Sequence, residues 1–393
     1  MDNTKKNVAL LAGCQALLFA NNSTVIAVNG LAGYALAADK SLATLPVTGW
    51  VFGAAMATLP ASLLMKRFGR RAGFYMGTIL GAIGACICAA AVILGNFWLL
   101  CLGTIVFGSY NGVAQYYRFA AADASPPDYK STAISMVLAG GLVGGLVGPQ
   151  VSTYTIDFLP VRYAGAYLSL LVYLAIVMGV LSFLRIPPPT DEEHSGSGRP
   201  LKEIAAQPAF IVAVIGAAAG FGVMNFLMVA TPLAMSFCQH PYAAAATVIS
   251  WHIVGMFAPS FFTGSLIKRF GVLQVMFAGV LLLYLCVAIA LSGITVAHFW
   301  TSLFFLGVGW NFLYIGGTTL LTTTYRPQER AKTQGVNDTA IFLTQAVTSI
   351  VSGWMVGAKG WDLLNYFAIP FITMIGLSIL WLAVQRRREA QPA

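Results

Sequence analysis

Residues 186–203 read IPPPTDEEHSGSGRPLKE, the one sizeable polar stretch in a chain of 393 residues. It is rich in Pro, Gly and Ser and carries an acidic run, which is typical of a mobile linker. On each side of it, apolar segments of about 20 residues recur between short polar turns. The stretch therefore divides the chain into two halves of similar length and pattern.

The composition excludes an ordinary soluble protein. Hydrophobic residues make up 58% of the chain and charged residues 9%, and the mean hydropathy is +0.78. Soluble domains carry about 25% charged residues because they must cover a wet surface. The 40 glycines suit membrane helices, which pack through small residues. The fold predicted is an all-α polytopic membrane protein.

Hydropathy and turn residues predict twelve transmembrane spans arranged as two pseudo-symmetric six-helix bundles around a central cavity. The predicted domains are an N-terminal bundle at 1–185, a cytoplasmic linker at 186–206 and a C-terminal bundle at 207–393. Spans 1 to 12 are predicted at 8–36, 43–65, 72–94, 97–123, 131–155, 162–185, 207–238, 242–267, 272–293, 297–324, 332–357 and 361–384.

The positions of the charges predict the orientation. The formal net charge is +9, but most Lys and Arg lie in short clusters between apolar segments, which is typical of topology determinants and argues against a nucleic-acid partner. With the N-terminus inside, the opposite side keeps only Lys40, Arg162 and Lys359. We therefore expect a multi-pass protein of the bacterial inner (plasma) membrane, surrounded by the lipid bilayer, with both termini and the linker in the cytoplasm.

Three short motifs recur about 200 residues apart, which indicates two parallel six-helix repeats, as in one large class of transporters. The matched positions are KRFG at 66–69 and 268–271, Tyr110-Asn111 and Trp310-Asn311, and Lys130 and Arg330.

Twelve spans, a central linker and a basic loop with Gly after spans 2 and 8 resemble the major facilitator superfamily. The loop in that family resembles G-x-L-x-D-R-x-G-R-R, and this chain departs from it at Ser62 and Lys66. The remaining matched positions are Leu64, Arg67, Gly69, Arg70 and Arg71, with Gly144, Gly145, Gly148 and Pro149 matching the family's Gly-Pro motif in span 5. The resemblance implies the fold and leaves the substrate open.

The basic loops and a few charged residues of spans 4 and 11 form a candidate structural gate. Arg118 and Asp123 lie near the cytoplasmic end of span 4, and we expect them to pair along the helix or with Asp338 on span 11. The other members of this set are Lys66, Arg67, Gly69, Arg70, Lys268, Arg269 and Gly271.

Spans 7 and 8 carry a pattern of soft ligands. Met224 and Met228 are four residues apart on span 7, as are His252 and Met256 on span 8. Residues four apart share one face of a helix. Thioethers favour Cu(I), and imidazole accepts copper in either oxidation state. The alternative interpretation is that these methionines only pack.

Counting along the predicted hairpin places the two pairs at matching depths. From a turn near His240, Met228 and His252 each lie about 18 Å along their helices, and Met224 and Met256 about 24 Å. These depths are near the middle of the bilayer, where transporters of this class hold their substrates. Met235 and Cys238 continue the Met224–Met228 face of span 7 outwards and are candidate relays for copper entering the site.

The same two pairs on spans 7 and 8 resemble the CcoA-type copper importers of the bacterial inner membrane, which supply copper for assembly of cbb3-type cytochrome oxidase. The resemblance implies copper import by alternating access, with Met224, Met228, His252 and Met256 as metal ligands. Copper would be the substrate, and a cytoplasmic or membrane copper acceptor would be a partner. A sister branch of that family takes up riboflavin.

Two alternatives to copper import remain open. One is uptake of a small aromatic organic molecule such as riboflavin, in which Tyr110 and Trp310 would stack on the substrate. The other is a copper-handling assembly partner without transport. No P-loop, HExxH, GxSxG or dinucleotide motif occurs in a credible context, so we expect no enzyme activity, no cofactor and a monomer.

Overall fold

The computed structural model describes residues 3–39, 42–43, 45–186 and 198–389. Within these ranges the chain is helical and contains no strand, which confirms the all-α fold. Most of the predicted linker, residues 187–197, lies outside the described residues. Its C-terminal part forms the short helix Leu201–Ala205.

The six spans of the N-terminal half follow the predicted order. Span 4 is interrupted at residues 115–116, close to its C-terminal end. The helices are Asn3–Leu36, Leu45–Phe68, Arg70–Ile93, Phe97–Ala114 with Tyr117–Asp123, Lys130–Thr155 and Ala164–Ser182.

The C-terminal half contains two more interrupted spans. Span 7 consists of Pro208–Val214, a π-helical turn at Ile215–Ala219 and Gly220–Phe237. Span 8 is divided at Pro259 into Tyr242–Phe257 and Ser260–Phe270. Span 9 is Val272–Ser292, span 10 is Val296–Leu321, and a short 3-10 helix, Pro327–Glu329, precedes the long helix Arg330–Glu389.

In the described part of the chain, eleven helices are long and apolar enough to cross a membrane. Span 12 is among them, beginning at Gly360, whose φ of 85° breaks the helical backbone inside Arg330–Glu389. Span 11, predicted at 332–357, is the first part of that same helix.

Contacts divide the chain into two compact units that exchange two short segments. Unit 1 comprises Met1–Pro126, Met136–Gly196 and Pro327–Phe342, and unit 2 comprises Pro127–Ser135, Ser197–Arg326 and Leu343–Ala393. The start of span 5 therefore packs with unit 2, and the start of span 11 packs with unit 1. These two segments occupy equivalent positions in the repeat, since they contain Lys130 and Arg330.

The two halves also share local geometry where the KRFG motif recurs. Gly69 begins span 3 with φ 85° and ψ 161°, and Gly271 begins span 9 with φ 92° and ψ 154°. Glycine adopts this backbone region without the steric cost that a Cβ would bring. In both copies the arginine lies over the following phenylalanine ring, at 5.2 Å from its centroid.

Glycine also permits close approach at equivalent helix crossings. A Cβ on Gly108 of span 4 would lie 2.1 Å from the Trp50 carbonyl oxygen of span 2. A Cβ on Gly307 of span 10 would lie 2.6 Å from the His252 carbonyl oxygen of span 8. Both crossings depend on the missing side chain, because a real Cβ would force the backbones apart.

Candidate functional site

The predicted soft ligands lie in unit 2 and are mostly buried. The exposed fraction is 2% for Met224, 0% for His252 and 7% for Met256, and Met228 is half-buried. Of the candidate relays, Met235 is buried and Cys238 is a half-buried residue at the C-terminal end of span 7. Their role as copper ligands or relays stays a prediction.

The His252 ring is fixed by span 10. Its Nδ1 lies 2.7 Å from the Leu303 carbonyl oxygen. A carbonyl oxygen can only accept, so Nδ1 carries the proton and the Nε2 lone pair is free. In the described part of the chain Nε2 is buried and has no hydrogen-bond partner. The imidazole can therefore accept a metal ion or a hydrogen-bond donor at that atom.

The face of span 8 that carries His252 and Met256 packs closely on span 10. A Cβ on Gly307 would lie 2.7 Å from the Met256 backbone nitrogen. Asn311 donates from Nδ2 to the Met256 carbonyl oxygen at 2.7 Å and to Ser260 Oγ at 2.6 Å. Asn311 thus satisfies the backbone carbonyl of Met256, which lies beside the interruption at Pro259.

Span 7 faces span 10 with the side that carries Met224. Gly220 packs on Leu313, and the Phe221 ring lies 5.5 Å from the Trp310 ring. Met224 is three and four residues beyond these positions and shares their face. Spans 7 and 8 therefore both direct their predicted ligand faces at span 10.

Among the described residues, no group of three or more His, Cys, Asp or Glu side chains could hold a metal ion. A copper site here would depend on thioether sulfur atoms and the one imidazole. Such a donor set is soft and uncharged, which suits Cu(I) and disfavours ions that require carboxylates.

Four aromatic rings of unit 2 form an aromatic cluster beside this region. Trp310 and Tyr314 are stacked, with ring centroids 4.8 Å apart and planes 16° apart. Phe221 and Phe257 contact the Trp310 ring edge-on, at 5.5 and 5.8 Å. Phe221 is the half-buried member, and the buried Trp310 Nε1 has no hydrogen-bond partner among the described residues.

The candidate gate in unit 1 contains a buried ion pair. Arg118 Nη2 lies 2.5 Å from Asp338 Oδ1, and both side chains are 1% exposed. Of the two arrangements expected for Arg118, the structure records the one with span 11. Arg118 Nη1 also donates to the Gln115 carbonyl oxygen at 2.7 Å.

A second set of polar contacts in unit 1 joins the N-terminal end of span 3 to the C-terminal end of span 4. Arg70 donates from Nη2 to Asp123 Oδ2 at 2.7 Å and to Gln334 Oε1 at 2.6 Å. Arg330 Nε lies 3.4 Å from the same Asp123 oxygen. Ser62, which stands where the family motif has Gly, donates to the Ala331 carbonyl oxygen at 2.7 Å.

The remaining gate candidates lie at the surface. Lys66 is half-buried, and Arg67 and Arg269 are exposed on their phenylalanine rings. Lys268 is exposed and lies 5.6 Å from the Tyr129 ring centroid in unit 2. Gly69 and Gly271 act through their backbone, as described above.

In unit 2 the start of span 5 is held by hydroxyl groups. Ser135 Oγ donates to the Ser260 carbonyl oxygen and accepts from the Gly264 N–H at 3.0 Å. Ser131 Oγ donates to the Gly264 carbonyl oxygen at 3.2 Å. A Cβ on Gly264 would lie 2.7 Å from Thr132 Cα, so the backbones touch here.

A chain of side-chain amides leads from span 1 to the buried ion pair. Asn22 Nδ2 and Gln115 Nε2 both donate to Asn111 Oδ1, at 3.0 and 3.2 Å. Gln115 Oε1 accepts from Arg118 Nη1 at 3.2 Å. The Oδ1 atoms of Asn21 and Asn22 are buried and have no hydrogen-bond partner among the described residues.

Sequence reasoning named Asp338 on span 11 and missed its two polar neighbours on the same face, Gln334 and Asn337. Gln334, Asn337 and Asp338 are all buried, and Asn337 Nδ2 donates to Asp338 Oδ1 at 2.8 Å. Their spacing of three and four residues in a membrane helix is the signal that could have found them, because it places three polar side chains on one face.

Comparisons with known proteins agree on the fold and the family. The family model of the Major Facilitator Superfamily matches residues 11–258 and 221–393. The solved structures of the proton:xylose symporter XylE (TM-score 0.79, 13% identity, 94% of each chain) and of FucP in the outward conformation (TM-score 0.75, 16% identity, 95% of this chain and 98% of that one) share the fold.

Two curated relatives are similar over almost their whole length. The riboflavin transporter RfnT of Brucella anthropi is 41% identical over 94% of both chains. The uncharacterized MFS-type transporter YddS of Bacillus subtilis is 27% identical over 96% of this chain and 91% of its own length. With the family match extending over both repeats, the chain belongs to the Major Facilitator Superfamily.

Proposed function

We propose that this protein takes up riboflavin, or a closely similar flat aromatic molecule, across the inner membrane by alternating access. The observation that carries the proposal is the 41% identity to the Brucella anthropi riboflavin transporter over 94% of both chains. Aromatic uptake is the alternative that the sequence alone placed second to copper import.

The aromatic cluster supports a flat ligand. Stacking a planar ring system on an aromatic side chain contributes about 1–3 kcal/mol per ring in nucleic-acid binding proteins. Phe221 gives the cluster a half-buried edge, and the unpartnered Trp310 Nε1 is a donor for a ligand carbonyl. The isoalloxazine ring of riboflavin offers both a planar surface and carbonyl oxygens.

The chemistry of the buried polar side chains supports a neutral ligand. Among the described residues of unit 2 they are hydroxyls, amides and one imidazole, including Asn225, Thr231 and Asn311. Asn225 donates to span 11, to the Gln345 carbonyl oxygen at 3.1 Å and to Ser349 Oγ at 2.8 Å. Such groups bind hydroxyls and carbonyls, and none of them carries the fixed charge that would match an ionic organic substrate.

The direct test is uptake of radiolabelled riboflavin by proteoliposomes that contain the purified full chain. We expect saturable uptake that unlabelled riboflavin competes away and that empty liposomes lack. Phe221→Leu should raise the KM for riboflavin, because it removes the half-buried ring. Phe371→Leu, at an exposed ring of span 12, is the control and should leave the KM unchanged. Saturable copper uptake without riboflavin uptake would overturn the proposal.

Copper import is the second candidate, and the buried, unpartnered Nε2 of His252 favours it. The test is copper uptake by Met228→Leu and His252→Ala at normal membrane abundance. Met→Leu nearly conserves volume and costs less than about 1.5 kcal/mol by packing alone. A ligand role therefore predicts that both variants lose copper uptake. In this candidate function the wild type is a monomeric importer that delivers copper to an acceptor. Wild-type copper uptake by both variants would eliminate the site.

The control for this test must be chosen from the structure. Met276 of span 9 lies outside the proposed ligand set but serves poorly. It is 0% exposed, and its side chain lies against Gly216 and Gly316, where a γ-branched side chain would crowd. Met374 of span 12 is 42% exposed and is the better control for Met→Leu.

We further propose that both termini and the linker face the cytoplasm, on the strength of the Lys and Arg distribution. Reporter fusions after Lys202 and after Ala297 should label opposite sides of the membrane. Labelling of both on one side would contradict the twelve-span topology.

A further inference from the structure

The buried ion pair of unit 1 has spare capacity at one oxygen atom. Asp338 Oδ1 accepts from Arg118 Nη2 at 2.5 Å and from Asn337 Nδ2 at 2.8 Å. Asp338 Oδ2 is buried and has no hydrogen-bond partner in the described part of the chain. A carboxylate held by one oxygen presents the other as the place where a proton can bind.

Among the described residues, two cations act on Asp338. Arg118 on span 4 contacts it directly, and Arg70 acts on it from the start of span 3, while Tyr116 on span 4 is a neutral neighbour. Arg70 itself is bound to Asp123, so its charge is already matched. Arg118 is therefore the cation whose pairing depends directly on the charge of Asp338.

This ion pair lies at one end of the amide chain. Arg118 Nη1 donates to Gln115 Oε1, and Gln115 and Asn22 both donate to Asn111. A ligand that donates to the unpartnered Asn22 Oδ1 would thus be four hydrogen bonds away from the guanidinium, counting its own. Hydrogen bonds in such a network polarise one another, so the bonds between the amides and the bond to Arg118 strengthen or weaken together.

The same ion pair fastens a helix that belongs to both units. Arg330–Glu389 contributes residues up to Phe342 to unit 1 and continues into unit 2 from Leu343. When Asp338 is ionised, a charge-assisted hydrogen bond holds the first part of this helix in unit 1. When Asp338 is neutral, that hold is weaker, and the segment can leave unit 1 at a lower cost.

We propose that Asp338 is the proton-binding site that couples transport to a proton gradient. One proton adds to Asp338 Oδ2, an O–H bond forms, and the carboxylate charge is neutralised. Arg118 keeps its charge and loses its counter-ion, which releases the start of span 11. Loss of the proton restores the pair. The inference rests on the chain being a transporter and does not depend on the substrate being riboflavin.

Proton coupling is tested with the full chain in proteoliposomes, using riboflavin under an imposed pH gradient. One proton per substrate molecule supports an accumulation of about tenfold per pH unit, because the two concentration ratios balance. We expect a protonophore to abolish the accumulation while exchange of riboflavin at equal pH continues. Exchange without any effect of the gradient would overturn the coupling and leave the proposed function intact.

Variants separate proton binding from structural support. Asp338→Asn should lose gradient-driven accumulation and keep exchange. Asp123→Asn removes a carboxylate from the partly buried ion pair with Arg70 and should slow both modes equally. Asp157→Asn, at an exposed acid, should change neither. Gradient-driven accumulation by Asp338→Asn would overturn the proposal.

A spectroscopic readout covers the case in which Asp338→Asn does not fold or riboflavin is not carried. Infrared difference spectra of the wild type, titrated across roughly pH 5 to 8, should show the C=O stretch of one buried carboxylic acid. The band should persist in Asp123→Asn and vanish in the paired variant Arg118→Gln with Asp338→Asn, which removes both charges together. A wild type without such a band would overturn the assignment.

Discussion

The starts of spans 5 and 11 occupy equivalent positions in the repeat, and the molecule holds them by different chemistry. The segment Pro327–Phe342 is fixed in unit 1 by charged side chains, with Arg118 on Asp338 and Arg70 on Gln334. The segment Pro127–Ser135 is fixed in unit 2 by serine hydroxyls and by direct backbone contact at Gly264.

The difference shows how one repeated architecture can carry one switchable contact and one permanent contact. An ion pair responds to protonation, because one proton removes a full charge. A serine hydroxyl bonded to a carbonyl has no group that titrates in the physiological range. We therefore expect conditions such as pH to act on the start of span 11 and to leave the start of span 5 unaffected.

The largest loss of stability should come from replacing only one residue of the buried ion pair. Arg118→Leu leaves Asp338 buried without its counter-ion, and removing one partner of a buried pair costs about 3–5 kcal/mol. We expect this loss in the free energy of unfolding, measured by chemical denaturation in detergent micelles.

The matched control for this change is the double variant Arg118→Leu with Asp338→Leu. Replacing both partners by apolar residues of similar size is often neutral, so most of the stability should return. A double variant no more stable than Arg118→Leu would show that the pair acts through something other than charge.

The next effect should come from the packed contact in unit 2. Gly264→Ala places a Cβ 2.7 Å from Thr132 Cα and 2.8 Å from the Ser131 carbonyl oxygen, and both are backbone atoms. Overpacking of this kind costs about 1–3 kcal/mol. Gly179→Ala in span 6, where nothing lies within 4 Å of the added Cβ, is the control. Equal stability of the two variants would contradict backbone contact at Gly264.

A smaller effect is expected from one hydroxyl of the same contact. Ser131→Ala removes the hydrogen bond to the Gly264 carbonyl oxygen, and a typical hydrogen bond contributes about 0.5–1.5 kcal/mol. The loss should be the same at acidic and neutral pH, because serine does not titrate there. A loss that varies with pH would break the contrast between the two segments.

The smallest effect should come from an exposed ion pair. Asp157 and Arg162 are 3.2 Å apart with 68% and 63% of their side chains exposed. Exposed pairs contribute about 0–1 kcal/mol and less at high salt, so Asp157→Asn should change the midpoint of thermal unfolding little. A loss as large as that of Arg118→Leu would show that burial does not govern these pairs.

The sequence predicted the spans well and the orientation of their faces less well. Apolar length fixes where a helix crosses the bilayer, and the KRFG repeat correctly predicted two equivalent loops at Gly69 and Gly271. Counting residues from His240 estimates depth along a helix. It does not give rotation about the helix axis, so it could not place His252 against Leu303 of span 10.

The polar contacts of the gate were partly accessible from sequence. Asp338 could be named as a partner for Arg118, because an unpaired charge inside a membrane span is costly and such residues usually pair with one another. The contacts of Gln334 and Asn337 depend on which face of span 11 meets unit 1, and that depends on the exchange of segments. A linear pattern of charges does not reveal such an exchange.

The exchange of segments sets an order for biosynthesis. Arg118 and Asp338 are 220 residues apart, and a ribosome needs about 10 to 40 s to make that much chain. Throughout this interval the membrane holds a half-built protein that still lacks Asp338, whereas Ser260 follows Ser135 after only 125 residues. A chain truncated before Pro327 would lack Asp338 altogether, so the guanidinium of Arg118 would never form this buried ion pair.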